Sequence, residues 1–206
     1  MKKIEHLKIW AGLFSSKPYI PNNLKNARGP LLMHISDTPD EIYKYVIRLA
    51  EALEPDYIIH TGDLVDNIKL GLLPQKIDKY RETLAYLIPQ MEEVTGAEIY
   101  YVLGNHDNIN VVKKLSKRGI VMLEGHIDIE GHNFYVNHYH RRENQGKYHL
   151  FGHSFSPKSY HKSETIGLNG LQEINIIDLS TEIIYNLPYP FGTNFHRKME
   201  TRSIGL

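Results

Sequence analysis

The chain has 206 residues, enough for one domain with a substantial core. Its 24 Lys and Arg balance 24 Asp and Glu, so no net field draws it to nucleic acid or to a membrane surface. There is no cysteine, which excludes disulfides and thiolate-bound zinc or iron–sulfur clusters and leaves 12 histidines and the carboxylates as the metal-capable side chains.

At the N-terminus, Lys2-Lys3 precedes Ile4, but Glu5, His6 and Lys8 interrupt any apolar core of a signal peptide. No apolar run approaches the length of a membrane span, and a soluble, cytoplasmic protein is expected. Residues 1–28 read as an extension that packs a few aromatics, from the apolar run Ile9 to Phe14, on a domain spanning residues 29–188. Residues 189–206, with Arg197, Lys198 and Arg202, read as a polar tail whose charges are solvated.

Pro30 to Ser36 is a buried strand that stops at Asp37. Helix signals follow at once: Thr38 as N-cap, Pro39 at the first helical position and Glu41 closing a capping box. Ile42, Val46, Leu49 and Leu53 recur at helical spacing until Pro55. Tyr57 to His60 is the next strand, ended by Thr61-Gly62-Asp63, with Asp66 in the same loop. Gln75 to Ile88 predicts a helix that Pro89 kinks or divides and that Gly96 ends. A third strand, Ile99 to Leu103, is cut off by Gly104-Asn105-His106-Asp107. Asn110 then caps a short helix, Val111 to Arg118. Three strand–helix alternations imply a mostly parallel sheet with crossover helices.

From Ile120 the pattern changes to strands. His126 to Glu130 and His132 to His138 form a hairpin about Glu130-Gly131, and Tyr148 to Phe151 ends at Gly152-His153. Glu173 to Leu179 and Thr181 to Leu187 follow. Five strand ends therefore carry donors: Asp37, Asp63, Asn105, His138 and His153. Each alone suits an ordinary turn. Five together do not, and mixed oxygen and imidazole donors suit manganese, iron or zinc.

In order and spacing, Asp37 of Ser-Asp-Thr, Gly62-Asp63, Gly104-Asn105-His106-Asp107, His138 and Gly152-His153 resemble the calcineurin-like metallophosphoesterases. The resemblance implies an α/β fold, a four-layer α-β-β-α sandwich, with two metals at the strand ends and a small-molecule phosphoester or phosphodiester substrate. One site of that family would here be Asp63, Asn105, His138 and His153, all intact. The other would be Asp37, Asp63 and two histidines, at whose positions this chain has Pro39 and Phe155. One tight divalent ion is therefore expected and the second site is in doubt. His34, Asp66, His140 or His149 could compensate, and no spacing argument selects among them.

A complete site lowers the pKa of bound water from 15.7 towards about 7. By the same resemblance His106 would steady the phosphate and protonate the leaving oxygen, with Asp107 orienting its ring. The expected function is a metal-dependent phosphoesterase. The alternative is a degenerate member kept as a binding scaffold, similar to the phosphoesterase-like subunit of the retromer coat. A nuclease is disfavoured by the balanced charge.

Overall fold

The computed structural model describes residues 18–142, 146–162 and 164–198. The apolar run Ile9 to Phe14 and the last residues of the expected tail lie outside these. Two sheets stack face to face. The first has six strands in the order β11 (Ile183–Leu187), β10 (Ile174–Asp178), β1 (Leu31–Ile35), β2 (Tyr57–His60), β3 (Glu98–Val102) and β4 (Ile120–Met122). Strands β1 to β4 are mutually parallel, as the alternation implied, while β10 runs antiparallel to β1 and β11. The second sheet has the order β5 (Glu124–Ile129), β6 (His132–Asn137), β7 (Tyr148–Phe151), β9 (Thr165–Asn169) and β8 (Tyr160–Lys162). Strands β6, β7 and β9 are parallel to one another.

Period-two alternation explains the two cores. Met33, Ile35, Ile58, Ile99 and Tyr101 face the helices, where α1 (Tyr43–Leu53) presents Val46, Leu49 and Ala50. The helix α2 (Ile77–Val94) adds Tyr80, Leu84, Leu87 and Met91 to that core. Leu32, Ile59 and Val102 point the other way, into Phe134, Val136, Tyr148 and Leu150 of the second sheet. Burying each such side chain stabilises the fold by about 1.5–3 kcal/mol before entropy is counted. The α/β sandwich read from the sequence is present, and the apolar faces of its long helices join the outer side of the six-stranded sheet.

Several local expectations are corrected. The Thr38 capping box does not form. Thr38 Oγ1 instead pairs with His60 Nε2 at 2.9 Å and donates to the Leu64 carbonyl, and a short 3-10 turn, Asp40–Ile42, leads into α1. The helix α2 continues through Pro89, because Leu87, Ile88 and Met91 bury on either side of it. That packing offsets the roughly 3 kcal/mol an internal proline costs. Asn108, not Asn110, caps α3 (Ile109–Leu115), accepting from the backbone N–H of Asn110 and Val111. The Glu130-Gly131 hairpin turn is as expected, with φ of 52° and 75° and Ile129 opposite His132.

The largest correction concerns residues 189–198. Arg197 is fully buried. Its guanidinium lies 4.4 Å from the Tyr189 ring centre, its Nε donates to the Asp37 carbonyl at 2.7 Å, and its Nη1 donates to the Leu171 carbonyl. Tyr189 accepts from the Ser36 N–H and donates to the Gly170 carbonyl. This stretch is a clamp under the first strand end, not a solvated tail. Upstream, Ile20 and Leu24 also bury in the core, so part of the expected extension belongs to the domain.

Two of the buried histidines are neutral rings fixed by hydrogen bonds. His34 Nε2 pairs with Thr61 Oγ1 and its Nδ1 accepts from Asn175; His60 Nδ1 accepts from the Gly62 N–H. Burial pushes both pKa values down from 6.5 to about 3. Between these limits the unfolded chain takes up protons that the folded chain refuses, so this stability is complete above the unfolded pKa and is lost as pH falls below it. Denaturant unfolding should therefore show a loss on the order of 2 kcal/mol per histidine between pH 7 and pH 5. His34→Gln should be less stable at pH 7 but show a shallower slope over that range. An unchanged slope would mean that His34 is already charged in the folded state.

Candidate metal centre

Parallel pairing brings the C-terminal ends of β1, β2 and β3 to one edge, and Asp37, Asp63 and Asn105 follow them. The parallel pair β6 and β7 delivers His138 and His153 to the same place, with the Gly152 N–H donating to the His138 carbonyl. Around His138 Nε2 lie Asn105 Oδ1 at 3.1 Å, His153 Nδ1 at 3.2 Å and Asp63 Oδ2 at 3.5 Å. The four donors named from the sequence thus meet at one point. Asp37 is their neighbour, its Oδ2 accepting from the His153 N–H at 3.0 Å.

The backbone is forced to achieve this. Asp37, Asp63 and His153 have φ of 53°, 54° and 66°, left-handed values that cost about 1–3 kcal/mol each. Glycine is needed where the strand ends crowd. A Cβ on Gly104 would stand 2.2 Å from Asp63 Oδ1, and Gly62, with φ of 100°, would press one against the Gly104 N–H and the His138 ring. The glycines of Gly-Asp and Gly-Asn are there so that two loops can touch.

Asp107 does not orient His106, contrary to the expectation. Its Oδ1 accepts from the Leu64 N–H and the Tyr80 hydroxyl, both at 2.9 Å; its Oδ2 accepts from the N–H of Asp63 at 2.7 Å and of Gly104 at 2.8 Å. Burial and the nearby Asp63 raise its pKa, while these donors lower it. Three of these four partners are backbone N–H groups that can only donate, and only the Tyr80 hydroxyl could accept a proton from Asp107, so the geometry favours the carboxylate. His106 is held otherwise: the Gly71 N–H donates to its Nδ1 at 3.2 Å. Burial lowers its pKa, and the neutral ring then carries its proton on Nε2.

Burial opposes a charge on His138, but the Asp63 carboxylate overcomes it and raises the pKa to about 10. Asp63 is itself lowered to about 2, burial being outweighed by the His138 partner. The point where the donors meet is one that favours positive charge. An amide oxygen, a carboxylate and two imidazoles fit a divalent ion of the manganese, iron or zinc class.

A second group of donors adjoins the first. Single oxygens of Asp37, Asp63 and Asp66 lie within 4.8 Å of one another. Of the candidates to replace the missing histidines, Asp66 alone joins the centre among the described residues. His34 is engaged by Thr61 and Asn175, and His140 stacks on His149 with ring centres 5.3 Å apart. Asp66 is fully buried and its Oδ2 has no partner, while Lys69 Nζ pairs with its Oδ1. Burial, with the Asp37 and Asp63 charges, pushes Asp66 up to about 7 against the pull of Lys69. At the vacated positions, Pro39 is buried and Phe155 is exposed.

A cleft of about 560 Å³ opens over both groups. Asp37, Asp63, His106 and His153 line it, Lys69 and Lys198 face it, and Leu72 and Leu73 form an apolar wall. Over residues 31–198 the sequence matches the family model of the calcineurin-like phosphoesterases. The chain belongs to the calcineurin-like phosphoesterase family. Among the solved structures that share its fold are the following two. One is an archaeal phosphodiesterase, with TM-score 0.55, 15% identity and 77% of this chain and 99% of the other covered. The second is Yfce, a phosphoesterase from E. coli, with TM-score 0.51, 17% identity and coverages of 77% and 98%. None of the curated proteins matches the sequence.

Several residues around the donors lie outside the family's ligand pattern. Tyr139 lies 4.5 Å, ring to ring, from His153 and edge-on to His138, fixing both imidazoles. Lys69, Lys198 and the Leu72-Leu73 wall come from loops without periodicity, and only the left-handed φ of Lys69 and Lys198 marks them afterwards.

Since Asp107 ties backbone donors, Asp107→Asn places an NH₂ group against them. Each buried group left unsatisfied costs about 1–3 kcal/mol, and a loss of several kcal/mol is expected in denaturant unfolding. His106→Ala, which loses one weak backbone contact, should change stability by about 1 kcal/mol or less. Equal stability of Asp107→Asn and the wild type would show that Asp107 is protonated rather than the brace described.

Proposed function

We propose that the protein is a metal-dependent phosphoesterase that holds one divalent ion tightly through Asp63, Asn105, His138 and His153. The observation that carries this reading is the convergence of those four donors at the floor of a cleft lined by further cationic and hydrogen-bonding groups. Manganese, iron or zinc suits the donor set. When bound, such an ion supplies Lewis acidity and a lowered pKa for water at neutral pH.

The chain's own residues do the rest. His106 presents its Nε2–H to the cleft because Nδ1 is committed to the Gly71 N–H. It therefore steadies a phosphoryl oxygen as a neutral donor and does not protonate the leaving oxygen. Lys69 and Lys198 offset the phosphate's charge, and Leu72 with Leu73 receives an apolar or aryl leaving group. Asp107 acts at one remove, by fixing the Asp63 and Gly104 backbones.

The test is hydrolysis of an aryl and an alkyl phosphodiester, with and without chelator. Chelation should abolish turnover, and added divalent metal should restore it. His106→Ala should keep the metal content and lower turnover by about 10²–10³-fold, the usual effect of losing one donor to developing charge. The loss should be alike for both esters, since an aryl leaving group needs no proton. A larger loss with the alkyl ester would assign proton donation to His106. Absence of turnover with every divalent metal would favour a catalytically degenerate binding scaffold, the reading to which the replacement of two ligand histidines by Pro39 and Phe155 otherwise points.

A further inference from the structure

Lys69 has no role in the family's pattern, yet its ammonium pairs with Asp66, which groups with Asp37 and Asp63. Its Nζ pairs with Asp66 Oδ1, and its side chain is only 16% exposed. The backbone at Lys69 is left-handed, with φ of 53°. Its carbonyl accepts from the N–H of both Leu72 and Leu73, which closes the loop and holds that conformation. A strained non-glycine backbone persists only where its surroundings impose it. The result is an ammonium beside the three-carboxylate group and facing the cleft.

We propose that Lys69 takes the place of the second metal, its ammonium supplying from the Asp66 side of the cleft the positive charge a second ion would bring to the phosphoryl oxygens. This rests on the phosphoesterase reading of the site and goes beyond it by naming what replaces the missing half. Charge supports it. With Asp66 ionised against its Lys69 partner, Asp37, Asp63 and Asp66 carry three negative charges, which one divalent ion at the His138 site and one ammonium would neutralise. A second divalent ion beside Lys69 would leave an excess of two positive charges. Ligand number supports it too, because the second group offers three carboxylates, one shared with the first site and one already paired with Lys69. An ammonium is suited to this role because it has three donors, of which Asp66 takes one. The partnerless Asp66 Oδ2 leaves an acceptor in the pocket for a cation once the ammonium is removed.

The test counts manganese per chain at millimolar Mn²⁺ in the wild type, Lys69→Met and Lys69→Arg, with thermal melts confirming that each variant folds. The wild type should hold one ion. Lys69→Met, which keeps the stem and removes the charge, should hold two, the second more weakly, and Lys69→Arg should hold one. Inorganic phosphate should bind Lys69→Met at least tenfold more weakly than wild type when both carry a single ion. Two ions in the wild type would overturn the proposal while leaving the phosphoesterase reading intact, and so would a folded Lys69→Met that still holds one. No ion in the wild type would overturn that reading, and the proposal with it.

Discussion

One buried carboxylate joins the parts of this site. Asp107 accepts from the N–H of Asp63 and Leu64 at the end of β2, from the N–H of Gly104 at the end of β3, and from the hydroxyl of Tyr80 on α2. Two strand ends and a helix are thereby fixed to one another by charge-assisted bonds in a dry environment, where such bonds are strong and leaving them unmade is costly. Asp63 and Asn105 are ligand candidates because Asp107 sets the loops that carry them. The Asp of Gly-Asn-His-Asp thus holds the two loops in position and does not itself line the cleft.

A second tie works from below. Arg197 and Tyr189 bind the backbone of Ser36 and Asp37, so the first strand end is held by the last described stretch of the chain. The family match, which extends to residue 198, includes this clamp. Between the two ties, Asp37, Asp63 and His153 are kept in left-handed conformations that the free chain would rarely adopt. The strain is borne by packing and hydrogen bonds elsewhere, the pattern expected where side-chain direction matters more than local stability.

Much of the fold was legible because the strands are short apolar runs stopped by glycine, and that signal survives without tertiary context. Ile58-Ile59 before Gly62-Asp63 and Val102-Leu103 before Gly104-Asn105 could be placed on buried strands ending at one rim. What was not legible depended on partners distant in sequence. Thr38 abandons its cap because the His60 ring offers a better partner across the turn. Pro89 stays inside a helix because neighbouring side chains bury. Arg197 reads as a solvated charge until the fold shows it enclosed by carbonyls. Thr165–Asn169 does not read as a strand because a central glycine and two polar ends hide its strand character. The side chains that converge at the strand ends are legible from the resemblance and from their repeated place after apolar runs. Lys69 is not, since a loop residue that acts by position leaves no periodic trace.

The chemistry follows from an asymmetry. One half of the centre has a mixed oxygen and nitrogen donor set, and the other has carboxylates alone with a lysine already in attendance. The most direct measurement is anomalous diffraction from crystals grown with Mn²⁺. A single strong peak should lie about 2.0–2.3 Å from Asp63, Asn105, His138 and His153 together. A peak bound elsewhere, or His138 still turned to Asp63 with no ion between them at saturating metal, would contradict the assignment of these four residues as the metal centre.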